Sequence, residues 1–179
     1  MNREGPCLVA GKRSLEGEGL VLREWTEADL DCMVHLFDEP SVAHRTALPS
    51  PFTKTDAEER LARARQGDWL VLAVTVDGDR PLGEVMVTAD AHLAYVIGRH
   101  HRGQGLASRA LLLVTSYAFG VLDMPVLLLE IEPDNDASAA VARRAGFRLT
   151  GTPAVTVQDK GRTYALEIWE HRRRKLRGH

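Results

Sequence analysis

The amino-acid sequence predicts an α/β (α+β) fold, in which helices cover both faces of one mixed sheet of about seven strands. Short apolar runs bounded by turn residues are typical of strands, and apolar residues recurring every three or four positions are typical of helices. In chain order these patterns predict the succession β-α-α-β-β-β-α-β-α-β-β. Three hairpin-type strands precede the single crossover, which excludes a doubly wound fold and a barrel.

The first predicted helix has a defined start. Thr26 is a suitable N-cap, and the acidic side chain of Asp29 reinforces the first turn. Apolar residues then lie on one face of this helix, at Leu30, Met33, Val34 and Phe37. The other elements predicted for this half of the chain are a loop over 41–53, a helix from 53 or 55 to 65, and strands over 20–24, 69–76, 82–88 and 91–97.

The second half of the chain contains the crossover. A long helix ends at Gly120, because glycine commonly terminates helices. The remaining predicted elements are a strand over 125–131, a short helix over 136–145, a strand starting at Phe147, and a last strand over 163–169. We therefore expect a flexible leader at 1–18, a single domain at 19–170 and a basic tail at 171–179.

Composition and charge narrow the possible functions. The 179 residues suffice for one domain with a core, and the net charge of −2 argues against a general nucleic-acid-binding surface. Cys7 and Cys32 are too few for a disulfide framework or a zinc site. No apolar run approaches the roughly 18 residues of a membrane span, and no signal peptide opens the chain. We expect a cytoplasmic protein that binds neither nucleic acid nor membrane.

A glycine-rich turn joins the strand before it to the long helix after it. The turn reads Arg102-Gly103-Gln104-Gly105-Leu106-Ala107. Glycines let backbone N–H groups approach a ligand closely, and the positive end of the helix dipole favours an anion. Its neighbourhood is basic, with Arg99, His100, His101, Arg102 and Arg109. The turn therefore predicts a site for a phosphorylated ligand.

Other phosphate-binding motifs fit this turn poorly. A dinucleotide-binding fingerprint needs a third glycine where Ser108 stands, and a Walker loop needs a Gly-Lys-Ser/Thr sequence that occurs nowhere in the chain. No metal site is predicted either, because the His100-His101 pair has no carboxylate or cysteine spaced to complete one.

The pattern Arg102-x-x-Gly105-x-Ala107 resembles the Arg/Gln-x-x-Gly-x-Gly/Ala signature of the GNAT superfamily of acyl-CoA N-acetyltransferases. Further similarity lies in Asn135-x-x-Ser138, Ala145-Gly146-Phe147, Leu22-Arg23, Asp29-Leu30 and Gly83. The combination is most similar to the branch that acetylates ribosomal-protein N-termini and to its small-molecule-modifying relatives. The resemblance covers roughly residues 19–170 and is most specific over 94–147.

This resemblance implies a mostly antiparallel central sheet that is splayed in its middle, with acetyl-CoA as the cofactor. The backbone of Tyr95, Val96 and Ile97 would run beside the pantetheine arm like an added strand. Asn135 would contact the cofactor or fix the loop that does, next to Ser138. The cofactor diphosphate would be held by the glycine turn and the helix start, at Arg102, Gly103, Gln104, Gly105, Leu106, Ala107 and Ser108.

Acetyl transfer to an amine needs both a base and an acid. Amines with pKa values of about 8 to 10.4 are mostly protonated at neutral pH, so a base must remove a proton. The N–H of Val96 or Ile97 could stabilise the oxyanion of the tetrahedral intermediate. For the acid that protonates the departing thiolate we favour Ser138, as the resemblance implies, and Tyr95 is the second candidate.

Two residues are candidates for the base. The related branch often carries a glutamate three positions before the strand tyrosine, and here that position is His92, whose side-chain type titrates near neutral pH. Glu84 is the other candidate: if Val85 and Val87 face the core, alternation places Glu84 and Met86 on the opposite face, towards a cleft.

The resulting prediction is an acetyltransferase that moves the acetyl group of acetyl-CoA by direct transfer to a primary amine. The acceptor is a small molecule or a protein N-terminus, and the enzyme is a monomer or a homodimer. In such folds the first two helices and the loop between them select the acceptor, and His44 or Arg45 in that loop could either receive a carboxylate or be exposed to solvent. The alternative is a non-catalytic acyl-CoA-binding sensor or interaction module.

Overall fold

The computed structural model of the chain describes residues 14–67 and 69–173. This part of the chain contains nine strands and five α-helices. The strands are β1 Ser14–Gly17, β2 Leu20–Glu24, β3 Trp69–Thr75, β4 Gly83–Thr88, β5 Leu93–Ile97, β6 Val126–Ile131, β7 Arg148–Leu149, β8 Val155–Asp159 and β9 Arg162–Arg172. The helices are α1 Leu30–Phe37, α2 Pro40–Arg45, α3 Lys54–Arg65, α4 Leu106–Gly120 and α5 Asp136–Arg144.

The strands form two groups that touch at one point. The first sheet has the order β1-β2-β3-β4-β5, and the second has the order β6-β9-β7 with β8 also paired to β9, all antiparallel. Between the groups, the N–H of Leu128 donates to the carbonyl of Ala91 at 2.9 Å, and His92 forms a parallel bridge with Leu128. In the described residues no ladder joins β5 to β6 beyond this bridge, so the predicted splayed sheet is confirmed.

Helices cover both faces of the first sheet, because strand residues alternate between them. On one face, Leu72, Val74 and Val85 are fully buried in a core cluster that α4 covers. On the other face, Val71 and Ala73 pack against α1 and α3. The mixed architecture with helices on both faces is therefore as predicted, and burial of β3 on both faces explains its continuous apolar sequence.

A threonine caps the start of each helical segment on the Val71 face of the first sheet, Thr26 before α1 and Thr53 before α3. Thr26 and Asp29 form a capping box on a 3₁₀ turn, Glu27–Asp29, that leads directly into α1. Thr53 and Asp56 form the same arrangement at the start of α3, so Thr53 rather than Thr55 is the N-cap. Each box satisfies N–H groups that the first turn of a helix leaves without partners.

The described strands extend beyond both predicted bounds of the domain, 19 and 170. The leader expected over 1–18 ends in strand β1, which pairs with β2 so that Ser14 lies opposite Arg23 and Gly17 lies opposite Leu20. Residues 1–13 lie outside the described part. The basic tail expected over 171–179 starts inside β9, and residues 174–179 lie outside the described part. Strand β1 was not predicted because its sequence, Ser-Leu-Glu-Gly, has little apolar alternation and depends on pairing with β2.

Two further elements were missed. The predicted loop over 41–53 begins with helix α2, and Pro40 occupies the first turn of that helix. Proline is tolerated there because an N–H in the first turn has no partner within the helix. Strand β8 is largely exposed, so its sequence lacks the apolar pattern of a buried strand. In the described residues no helix is long and apolar enough to cross a membrane.

Candidate active site

Two cavities meet where the strands part. The glycine-turn groove, of about 510 Å³, lies between the turn at 102–106, β5 and α5. The strand cleft, of about 690 Å³, lies between α3, β5, β6 and the β8–β9 hairpin. The residues that line both cavities are Arg45, Thr46, Tyr95, Val96, Asn135 and Ser138. A ligand in the groove can therefore reach a second ligand in the cleft at this junction.

The two glycines of the turn adopt the left-handed conformation, with φ of 78° at Gly103 and 72° at Gly105. A Cβ atom at either position would meet no described atom within 4 Å, so the space beside the turn is open. Gly105 is the N-cap of α4, and both glycines line the groove together with Leu106 and Ala107. The backbone N–H groups of the first turn of α4 thus face a cavity, as an anion site requires.

Ser108 adds a polar atom to this site. Its Oγ is buried, has no hydrogen-bond partner among the described residues, and belongs to a residue that lines the groove. A buried hydroxyl without a partner costs free energy unless a ligand supplies one. The helix start therefore fits an oxygen-rich anion such as a diphosphate.

Two of the five predicted basic residues around the turn, Arg102 and Arg109, are engaged in protein contacts. Arg102 Nε donates to the carbonyl of Ile97 at 2.9 Å, and its other nitrogens reach Ser41 Oγ at 3.2 and 3.3 Å. Arg109 donates to the carbonyls of Gly19 and Gln104, both at 3.3 Å, and does not line the groove. Gln104 does not line the groove either, whereas Arg144 of α5 does and was not predicted.

Tyr95 and Ser138, the two candidates for the acid, are in contact at the junction. Tyr95 Oη donates to Ser138 Oγ at 3.0 Å. Asn135, the N-cap of α5, accepts the N–H of Ser138 at 3.1 Å and so fixes the start of the helix that carries the serine. Burial raises the pKa of Tyr95, and the hydrogen bond with Ser138 opposes this in part. Tyr95 is therefore a neutral phenol at neutral pH.

Glu84 faces the strand cleft, on the side of β4 that alternation predicts. Val85 and Val87 are fully buried on the opposite face, while Glu84 and Met86 line the cleft. Glu84 is only 2% exposed, and both of its carboxylate oxygens accept hydrogen bonds from Arg60 Nε, at 3.1 and 3.2 Å. The sequence did not indicate this guanidinium partner from α3.

His92 lies at the point where the strands part. Its Nδ1 is 3.2 Å from Asp90 Oδ2, and its Nε2 is 3.7 Å from Glu130 Oε1 on β6. The hydroxyl of Thr88 donates to Asp90, which lowers the pKa of that carboxyl. The His92 side chain is 37% exposed and lines the cleft, so it is accessible to a ligand there.

The geometry combines an anion site at a helix start, a strand with a free edge, and a cleft with titratable side chains. Residues 19–148 match the family model described as the acetyltransferase (GNAT) domain. The chain belongs to the GNAT acetyltransferase family. It is an acetyl-CoA-dependent N-acetyltransferase, and this family membership favours the predicted enzyme over the predicted binding sensor.

Known relatives agree with this assignment. The chain is 23% identical to the uncharacterized N-acetyltransferase p20 of Bacillus licheniformis, over 92% of this chain and 99% of that protein. It is 26% identical to the spermidine N(1)-acetyltransferase of Escherichia coli K12, over 76% of this chain and 66% of that enzyme. The solved structure of RimL, a ribosomal L7/L12 alpha-N-protein acetyltransferase, in complex with coenzyme A has a TM-score of 0.77 and 17% identity, covering 89% of this chain and 98% of that one. The likeness to RimL confirms the GNAT fold.

In this acetyltransferase Arg45, which the sequence offered as one possible receptor for a carboxylate, is paired with carboxylates of its own chain. Its guanidinium is bound by Asp134 at 2.7 and 3.1 Å and lies 3.2 Å from Glu132. These bonds raise the pKa of Arg45, with the hydrogen bond to Asp134 as the largest cause. The positive charge of Arg45, at the end of α2, is therefore neutralised before any acceptor binds.

The β8–β9 hairpin closes one side of the strand cleft, which the sequence did not predict. Lys160 at its tip donates to the carbonyls of Ala43 and Thr46, at 2.7 and 2.8 Å, beside the C-terminal end of α2. Arg162 binds Glu132 at 2.7 Å and the carbonyl of His44 at 2.6 Å. We call Lys160 and Arg162 the hairpin clamp. A Lys-Gly-Arg turn between two strands is the one sequence signal that could have suggested it.

Proposed function

We propose that the glycine-turn groove holds acetyl-CoA, with its diphosphate at the start of α4 and its pantetheine arm along β5. The partnerless buried hydroxyl of Ser108 and the open left-handed glycines support the first part. Beyond His92, β5 pairs with β4 on one side, and its other edge borders the gap to β6. Free backbone groups on this edge suit an extended arm that pairs as a strand would. The bound coenzyme supplies an activated acetyl thioester.

We propose that the strand cleft receives a cationic primary amine. Two of the three arginines that line the cleft, Arg45 and Arg60, are already paired with carboxylates, and the third, Arg63, lies 5.7 Å from the Trp69 ring. Among the described residues of the lining, the carboxylates that have no arginine partner therefore outnumber the arginines that have no carboxylate partner. This excess is the observation that carries the proposed acceptor class, because an amine enters the cleft as an ammonium ion.

Three acidic side chains of the lining provide this excess. Glu59 lies on α3, Glu130 lies on β6, and Asp56 lies in the first turn of α3. The hydrogen bond from the Thr53 side chain is the main cause that lowers the pKa of Asp56, so this carboxylate is ionised at neutral pH. With carboxylates on two opposite walls, the cleft suits an acceptor that carries more than one amino group.

We propose that His92 takes the proton from the acceptor, directly or through water. With a proton on Nδ1 facing Asp90, Nε2 keeps a lone pair on the side of Glu130, which lines the cleft together with His92. Glu84 is less suited to this role because Arg60 already occupies both of its oxygens and little of it is exposed. The N–H of Val96 or Ile97 remains the proposed donor to the developing oxyanion.

A thiol-release assay with acetyl-CoA and a panel of amines tests this function. The panel contains diamines and polyamines, amino acids, aminoglycosides, and short peptides that begin with Ser or Ala. We expect diamines and polyamines to be acetylated fastest. Peptide acetylation without polyamine acetylation would instead assign the protein N-terminus as acceptor, and coenzyme binding without acetylation of any amine would contradict the proposal.

Variants separate the two candidates for the base. His92→Gln should lower kcat by about 100-fold, the usual contribution of a general base, and leave coenzyme binding unchanged in calorimetry. His100→Gln is the matched control, because His100 is exposed and lines neither cavity. If Glu84→Gln abolishes turnover of a folded enzyme and His92→Gln does not, Glu84 is the base. The cytoplasmic location and the monomeric or homodimeric state stay predictions.

A further inference from the structure

Tyr95 and Ser138 are joined by a hydrogen bond across the junction of the two cavities. The tyrosine comes from β5 and the serine from the first turn of α5, so the bond of 3.0 Å spans the two elements that flank the reacting position. Both residues line both cavities. Sequence reasoning treated them as rival proton donors, but their contact allows them to act in series.

The direction of this bond leaves the serine proton free. Tyr95 Oη donates and Ser138 Oγ accepts, and among the described residues Tyr95 is the only side chain bonded to that oxygen. Asn135 already caps α5 by accepting the N–H of Ser138, so the helix does not need the serine hydroxyl as a cap. The hydroxyl proton of Ser138 is therefore available to a ligand at the junction.

Tyr95 can replace a proton that Ser138 gives up. Burial raises the pKa of Tyr95 and keeps its proton in place at neutral pH, while the hydrogen bond with Ser138 is the opposing influence. Among the described residues, Arg45 is the one charged residue that lines both cavities, and it is paired with Glu132 at 3.2 Å and with Asp134 at 2.7 Å. A phenol is also a much stronger acid than a serine hydroxyl, so a proton passes readily from Tyr95 Oη to a developing serine alkoxide.

We propose that Tyr95 and Ser138 form a two-residue proton relay for the leaving sulfur, an inference that rests on the proposed acetyl-CoA site. As the acceptor nitrogen bonds to the acetyl carbon and the carbon–sulfur bond breaks, Ser138 Oγ would give its proton to the leaving sulfur. Ser138 Oγ takes the proton of Tyr95 Oη, and the tyrosine regains a proton from solvent. The acceptor proton leaves through the base.

A double-mutant cycle tests the relay. Tyr95→Phe and Ser138→Ala should each lower kcat by about 100-fold, and the double variant should lose no more than about threefold beyond the larger single loss, because both residues serve one proton transfer. Ser138→Thr keeps a hydroxyl and should recover most of the rate. Tyr117→Phe, on α4, is the matched control and should keep the wild-type rate. Single losses below threefold, or a double loss equal to the product of the single losses, overturn the relay.

A second readout needs no turnover. Alkaline absorbance titration of the ligand-free protein, with Tyr95→Phe subtracted, reports the Tyr95 phenol alone. Because the hydrogen bond with Ser138 lowers the pKa of Tyr95, Ser138→Ala should move this titration to higher pH and Ser138→Thr should restore it. An unmoved titration contradicts the relay. Failure to acetylate any amine contradicts the proposed function instead, so the two failures are distinguishable.

Discussion

The buried ion pair between α3 and β4 allows a quantitative prediction. We expect Arg60→Met to destabilise the protein strongly, because the change leaves Glu84 without its partner inside the fold. Arg60 binds both carboxylate oxygens of Glu84, and its guanidinium carbon lies 5.7 Å from the centre of the Phe37 ring. Burial lowers the pKa of Arg60, but the charge and hydrogen bonds of Glu84 outweigh this and raise it overall.

The size of the effect follows from the burial of the partner. The side chain of Glu84 is 2% exposed and that of Arg60 is 18% exposed, so water cannot readily replace the lost contacts. Removal of one partner from a buried ion pair costs about 3–5 kcal/mol. Replacement of both partners by apolar residues of similar size is often close to neutral. We therefore expect Arg60→Met/Glu84→Met to recover most of the stability lost in the single variant.

Urea denaturation followed by circular dichroism measures both free energies of unfolding. Arg65→Met is the matched control on the same helix, because Arg65 pairs with Glu27 while their side chains are 58% and 75% exposed. Exposed pairs contribute about 0–1 kcal/mol, so the control should lose little. The argument fails if Arg60→Met costs no more than Arg65→Met, or if the double variant is less stable than the single one.

Three further predictions concern other parts of the fold. Burial raises the pKa of Asp29, but hydrogen bonds from Arg23 and Thr26 outweigh burial and lower this pKa overall. The ionised Asp29 should therefore make the protein more stable than Asp29→Asn above about pH 4, and this difference should vanish as the pH falls and Asp29 is protonated. Denaturation measured as a function of pH checks this. Gly105→Ala should cost about 1–2 kcal/mol of backbone strain and weaken coenzyme binding in calorimetry, whereas Gly120→Ala, away from the groove, should leave binding unchanged. Lys160→Met should speed hydrogen exchange in the β8–β9 hairpin and raise the KM for the amine, and unchanged exchange would show that the clamp does not hold the hairpin.

The glycine turn and its helix could be predicted from sequence because their cause is local. Two left-handed glycines, a helix start and the apolar spacing of α4 lie within one continuous stretch. The orientation of Glu84 could be predicted for the same reason, since alternation along β4 decides which face a residue occupies. The splayed sheet was inferred from family resemblance, and the single bridge at His92 now gives its structural basis.

The partners of the site residues could not be predicted because they come from distant parts of the chain. Arg60 meets Glu84 only when α3 packs on β4, and Arg45 meets Asp134 across 89 residues. Strand β8 forms by pairing with β9 rather than by burying an apolar face. Contacts of this kind leave no periodic signal, so the sequence did not indicate that Arg45 pairs with carboxylates of its own chain.

These distant contacts decide the chemistry of the cleft. Glu132 and Asp134, which follow β6, supply carboxylates to Arg45 and to Arg162 of the hairpin clamp, and Glu84 of β4 supplies one to Arg60. Two of the three arginines that line the cleft are therefore neutralised before an acceptor arrives. Under the proposed function, carboxylates of the lining that have no arginine partner among the described residues, such as Glu59, would attract the incoming ammonium ion. The sign of charge that the cleft presents thus depends on tertiary pairing, although the composition of its lining is mixed. The acceptor preference should therefore change when a pairing carboxylate is removed, even where the residue itself touches no substrate.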